Sequence, residues 1–205
     1  MTLIKLNPPY RHLYQKPAFC GPCCVQMIFL RRGLWEEQEE IAIELNTGIL
    51  KKDTIHYSMP PKIVDGKDET KIGVALEKFD IHLNELFKKH KFKLHAKQFD
   101  KSEIINPKNF IENNLKEDND IIVDFWLKQT SNSGVGHFIL ISGINTESEQ
   151  LIICDPDGDA KSEWTISITE LFDLMDKKWD GNKRGFVVVK KINDRKVICM
   201  EKIKN

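Results

Sequence analysis

YQKPAFCGPCCVQMIF, residues 14–29, carries the chain from an extended approach into an apolar helix, and the change falls on Cys20. Cys24, Val25, Ile28 and Phe29 recur at three-to-four spacing, so a helix is expected over Gly21 to Arg32, stopped by Gly33. A thiol at a helix start faces unsatisfied N–H groups and the positive end of the helix dipole, which favours thiolate. Thiolate is the form that attacks a carbonyl. Gly21 is expected to let a substrate backbone approach, and Pro22 suits the first turn, where a missing N–H is harmless. Gln15 lies upstream, where its amide, with the Cys20 backbone N–H, would form an oxyanion hole.

Three other readings of the same residues stand beside this one. Cys20 is also the kind of small residue that fills a core. Cys20 and Cys23 have the C-x-x-C spacing of a redox pair at a helix start. Cys20, Cys23 and Cys24 together are three thiols in search of a metal, but no second cluster supplies a fourth ligand. Cys23 and Cys24 lie further into the helix and read as core.

Working outward, the rest of the first half is helical in pattern. Helices are expected over Trp35 to Leu45, Ile72 to Phe79, Leu83 to His90 and Pro107 to Leu115, with Lys51 to Thr70 a surface loop. Phe92, Leu94 and Ala96 alternate as an edge strand would. The second half reads as strands: Ile121–Leu127, His137–Ile144, Leu151–Cys154 and Phe186–Val189, and a further one over Val197–Ile203. A helix from Thr169 to Lys177 separates the third from the fourth. The result is an α+β chain of one domain over 1–205, with a helical part at about 14–116, an antiparallel sheet at about 121–203 and a cleft between them.

The sheet supplies a base. HFILISGI and LIIC are joined by the polar connector NTESEQ, a hairpin. In such a hairpin the start of the first strand lies near the end of the second. His137 opens the first and Asp155 follows the second, so the carboxylate is placed to orient the imidazole. Gly136 thins the chain beside His137 for a substrate. Taken alone, His137 is equally a structural residue, and DPDGD is equally a turn or, less aptly, a calcium loop.

Composition narrows the function classes. Lys+Arg and Asp+Glu balance at 31 each, so no net field recruits nucleic acid. No apolar run spans a bilayer and no signal-like h-region opens the chain, so no membrane partner is expected and the cytoplasm is the expected compartment. Five cysteines in such a chain argue for reduced thiols.

Taken together, these residues resemble the papain-like cysteine peptidases, and more specifically the catalytic domain of phytochelatin synthase. PAFCG before an apolar helix, IIVDFWLKQ before GVGHF, the apolar strand ending in Asp155, Trp164 ahead of a helix with Leu171 and Met175, and the RGF of Arg184, Gly185 and Phe186 carry that resemblance. It implies a papain-like fold and dipeptidyl transfer or hydrolysis on glutathione, a small thiol peptide, with glycine released from an acyl-enzyme. Cys20 would be the nucleophile, His137 the base and acid, Asp155 the orienter and Gln15 the oxyanion donor. Arg184 would hold a substrate carboxylate and Asp180 a substrate ammonium. No cofactor is required; heavy-metal ions would enter only as a metal-thiolate substrate, and a homodimer is compatible. The gap between Gln15 and Cys20 is one residue shorter than in that family, and Asp155-Pro156 looks more like the double-glycine leader peptidases. Without a Cys-rich C-terminal extension, the resemblance is to the bacterial members, which lean toward hydrolysis, and hydrolysis is the expectation.

Overall fold

The computed structural model describes residues 2–66, 71–127, 135–176 and 184–192. The expected strand at Val197–Ile203 and the candidate Asp180 lie outside the described residues. The elements are β1 (Leu3–Lys5), α1 (Cys20–Arg31), α2 (Gln38–Glu44), β2 (Gly48–Leu50), a 3₁₀ turn (Lys51–His56), β3 (Lys62–Val64), α3 (Phe79–Lys89) and β4 (Leu94–Asp100). They continue with α4 (Pro107–Lys116), β5 (Asp120–Leu127), β6 (Val135–Asn145), β7 (Gln150–Cys154), β8 (Glu163–Ser167), α5 (Ile168–Asp176) and β9 (Gly185–Lys191).

An antiparallel sheet of seven strands runs β4-β9-β5-β6-β7-β8, with β1 paired to the far end of β6. β5, β6, β7 and β9 occupy its middle and are the continuously apolar runs, because both their faces are covered. β4 is the edge strand that its alternation announces, with Leu94 and Ala96 buried and His95 and Lys97 exposed. The two halves are therefore not segregated as expected: β1 and β4 come from the first half and close the sheet. The expected helix at Ile72–Phe79 is absent. Those residues form a turn with Lys78 in the left-handed region, and α3 begins only at Phe79. The expected loop at Lys51–Thr70 contains the 3₁₀ turn and β3, which pairs in parallel with β2.

α1 is buried on all sides; Leu30 alone among its residues is partly exposed. Met27, Ile28, Phe29 and Val25 pack into one continuous core with α3 and the inner strands. At about 1.5–3 kcal/mol for each such side chain, that burial fixes the helix against the sheet. Its C-terminal end is locked by charge. Arg31 Nη1 donates to Asp120 Oδ1 at 3.0 Å, and Arg32 Nε to Asp120 Oδ2 at 2.8 Å. Both guanidinium groups also bond Asp118, and Tyr10 Oη donates to Asp120 Oδ1 at 3.0 Å. Asp120 opens β5, so this cluster ties the end of the helix to the start of a central strand.

Asp120→Ala leaves two buried guanidinium groups sharing Asp118 alone, and breaking a buried pair costs up to about 3–5 kcal/mol. Urea unfolding of the variant is expected to show that loss. A midpoint within error of the wild type would mean that the cluster does not hold α1.

Candidate active site

The site assembles where α1 starts, β6 starts and β7 ends. Three features put Cys20 at its position. Ala18 takes a left-handed conformation (φ 62°), which turns the chain sharply before the helix. Phe19 packs tilted on Tyr57 at 4.7 Å between ring centroids, and the Tyr57 hydroxyl donates to the Pro17 carbonyl. Glu39, buried in α2, accepts from Lys16 Nζ and from the backbone N–H of Ser58 and Met59. The turn is thus clamped from both sides by the α2 to β3 excursion, a support that the sequence reading missed. Cys20 keeps 9% of its surface exposed, whereas Cys23 and Cys24 keep none.

β6 brings His137 to Cys20. His137 Nε2 lies 2.8 Å from Asp155 Oδ1. A carboxylate only accepts, so Nε2 carries the proton, and Cys20 lies close enough to the ring to raise its pKa. The hairpin argument holds in register: β6 and β7 pair antiparallel with Leu140 opposite Cys154, which sets Asp155 beside the first residues of β6. Asp155 has further partners. Trp164 Nε1 donates to its Oδ2 at 2.9 Å, and the Asp157 N–H donates to its Oδ1 at 3.0 Å. Trp164 stands opposite Ile153 in the β7–β8 pairing, two residues from Asp155. β8 went unread in the sequence, so no role for this indole was legible there.

The charges follow from these contacts. Burial alone would pull the His137 pKa down. The hydrogen bonds and charges of Asp155 and Cys20 outweigh it and raise the pKa from 6.5 to about 10. Burial pushes the Asp155 carboxyl up, but bonding to His137, Asp157 and Trp164 wins and holds it below its usual range. Cys23 and Cys24 are driven well up by burial and stay thiols. The site therefore favours an imidazolium beside a carboxylate, with the Cys20 sulfur next to it.

The remaining candidates fall as follows. Gln15 is anchored by its N–H to the Pro156 carbonyl at 2.9 Å, next to Asp155. Its Oε1 is buried without a hydrogen-bond partner. Half a turn of the amide would put NH₂ at that position, the donor an oxyanion requires. Gly21 does not open a path for substrate as expected. A Cβ there would sit 2.5 Å from Val74 Cγ1 and 3.2 Å from Phe79 Cε2, so the glycine allows α1 to pack closely. Gly136 makes room for Arg184 in place of a substrate backbone, since a Cβ would lie 2.5 Å from Arg184 Nη1. Arg184 Nη1 in turn reaches both oxygens of buried Asp124 at 2.8 Å, and its guanidinium stacks 4.1 Å above the Trp126 ring. Arg184 is itself buried, with 8% of its surface exposed. Among the described residues, no group of three or more His, Cys, Asp or Glu side chains is arranged to hold a metal. Nor is any helix among them long and apolar enough to cross a membrane.

No protein-family model matches the sequence. No curated protein matches it either. Solved structures do. The peptidase domain of Streptococcus ComA, a bifunctional ABC transporter involved in a quorum-sensing pathway, aligns with a TM-score of 0.51 at 17% identity, over 87% of this chain and 96% of that one. Xylellain, a cysteine protease from Xylella fastidiosa, aligns with a TM-score of 0.43 at 9% identity, over 93% and 86%. The fold of this chain is the papain-like α+β fold of the cysteine peptidases.

The raised His137 pKa has a definite sign. An imidazolium favoured in the folded protein stabilises it fully below about pH 6.5, and that contribution is lost as pH climbs through about 10. Any activity that needs the imidazolium as an acid should have its alkaline limb in the same range. Asp155→Asn removes the opposite charge and should move that limb down by about one to three pH units. The pH profile of kcat/KM, or an NMR titration of the ring, reads this directly. A limb that stays in place would mean that Asp155 does not set the state of His137.

Proposed function

We propose that the protein is a papain-like cysteine peptidase that cleaves a peptide bond through an acyl-enzyme on Cys20. The observation that supports this best is the His137 ring, hydrogen-bonded to Asp155 and close enough to Cys20 for the thiol to raise its pKa. The Cys20 sulfur adds to the carbonyl carbon, and the developing oxyanion is met by the Gln15 amide and the backbone N–H of Cys20. As the C–N bond breaks, the His137 imidazolium gives its proton to the departing amine. Water then attacks the thioester, its proton passing to the ring, and the thiol is released. Asp155 keeps the ring oriented throughout and does not itself take the proton. The Asp155-Pro156 turn and the likeness in fold to the ComA peptidase domain favour a peptide substrate.

A second reading keeps the nucleophile and changes the substrate to glutathione, with glycine as the leaving group. The observation in its favour is Arg184, whose guanidinium lies against Gly136, the residue before His137. Against it stands the engagement of that guanidinium with Asp124.

A peptide library and glutathione, offered in parallel to the wild type and to Cys20→Ala, separate the two. Peptide cleavage that falls by about 10³-fold or more in Cys20→Ala supports the peptidase. Release of glycine from glutathione without peptide cleavage supports the second reading. A folded wild type whose Cys20 fails to react with a thiol-directed probe at neutral pH would sink both.

A further inference from the structure

The C-x-x-C at the head of α1 is not accounted for by acyl transfer, which uses one thiol. Cys23 is fully buried, three residues along the helix from Cys20. Residues at that spacing lie on one side of a helix with their Cβ atoms about 5–6 Å apart. A disulfide needs a Cβ separation of about 3.5–4.5 Å, so the first turn must tighten by only about 1–2 Å. The turn can do this. Cys20 is the first residue of the helix, it follows the left-handed Ala18, and the Cys23 N–H bonds back to Phe19 O at 2.8 Å. The 3₁₀ tightening common at helix starts brings residues three apart closer together. The Cys23 thiol makes one weak bond, to the Leu13 carbonyl at 3.6 Å. The nearest rival, Cys24, is bonded to Phe138 O at 3.4 Å, and its side chain is wedged between α1 and β6.

We propose that Cys23 is a resolving thiol: when a hydroperoxide oxidises Cys20, Cys23 closes an intrahelical disulfide with it and switches the active site off reversibly. The proposal rests on Cys20 being the reactive thiol of the preceding reading. Exposure orders the steps. Cys20 keeps 9% of its surface exposed, whereas Cys23 has no exposed surface and is held as a thiol by burial. The Cys20 thiolate attacks the outer peroxide oxygen, the O–O bond breaks, and the leaving alkoxide or hydroxide takes a proton from the His137 imidazolium. Cys20 becomes a sulfenic acid and the peroxide is reduced to alcohol or water. The Cys23 sulfur then attacks the Cys20 sulfur, the S–O bond breaks, and the Cys23 proton leaves with the hydroxyl as water. Reduction by a dithiol restores both thiols.

The test treats the intact wild-type protein with hydrogen peroxide near neutral pH, blocks the remaining thiols and maps the peptides by mass spectrometry. A Cys20–Cys23 crosslink, lost on adding dithiothreitol, is the expected product. In Cys23→Ser the same treatment is expected to carry Cys20 on to sulfinic acid, which dithiothreitol does not reverse. Cys20 driven to sulfinic acid in the wild type, or crosslinked to Cys24 or Cys154, overturns the assignment while leaving the thiol chemistry intact. If Cys20 is not oxidised at all, the proposal and the reactive-thiol reading beneath it both fall. Because the map is made on the wild type, the result stands even if Cys23→Ser does not fold.

Discussion

A carboxylate with 2% of its surface exposed sits at the end of β7, and the site end of the molecule is built to keep it charged. Asp155 stays ionised because three donors converge on it: the His137 ring, the Trp164 indole and the Asp157 N–H. Each donor comes from a different segment, so satisfying one buried charge fixes the relative positions of β6, β8 and the turn after β7. The Asp155 backbone is used as well. His12 Nε2 lies 2.7 Å from its carbonyl, which makes that nitrogen a donor, and the Gln15 N–H bonds the carbonyl of Pro156. The extended approach to Cys20 is thus laid along the chain that carries the carboxylate. An unpaired charge at this depth would cost several kcal/mol, on the order of the whole stability margin of a domain. Orientation of the imidazole and integrity of the fold therefore depend on the same contacts.

Cys20 is positioned by a different kind of force. α1 is held by apolar burial along its length and by the Arg31, Arg32, Asp118 and Asp120 cluster at its far end. Neither would set the helix to a fraction of an ångström at its start. Cys24 does more there than fill space. It lies one turn beyond Cys20, and its thiol bonds the carbonyl of Phe138, the residue next to His137. Phe138 in turn packs on Phe79 at 5.2 Å, and a Cβ on Gly21 would lie 3.6 Å from the Phe138 ring. The first turn of the helix and the first residues of β6 are thereby keyed together at the level where thiol and ring must meet.

How much of this the sequence disclosed depends on the range of the interaction. Cys20, His137 and Asp155 were legible because each sits at an element boundary marked by local pattern: a helix start, a strand start and a strand end. The β6–β7 hairpin was legible because its connector is short and polar, and the inner strands because their apolarity is unbroken. The failures are long-range. β8, with a single buried residue at Ile166, is recognisable only once β7 is there to pair with it. The carboxylate of Glu39 reads as one acid in the Glu-rich start of a helix, and nothing local reports that Lys16, Ser58 and Met59 converge on it. The apolar Ile72–Phe79 stretch has enough spacing to suggest a helix, but left-handed Lys78 breaks it. The partners of Arg184 were likewise hidden, because Asp124 reads as one polar residue in an apolar strand.

That last pair bears on what the site can recognise. A guanidinium is an attractive carboxylate clamp only while its charge is available. At about 4 Å and an effective dielectric near 20, two unit charges attract by about 4 kcal/mol, and Asp124 is closer than that. A free substrate carboxylate arriving at Arg184 would meet the field of a nearly neutral pair and would compete with an acceptor that is already buried. A peptide carbonyl asks less: it needs a donor and no net charge, and it loses less on leaving water. The space beside Gly136 is already filled by this guanidinium. The guanidinium then acts chiefly to bind β5 to the start of β9 beside Gly136, the residue that precedes His137.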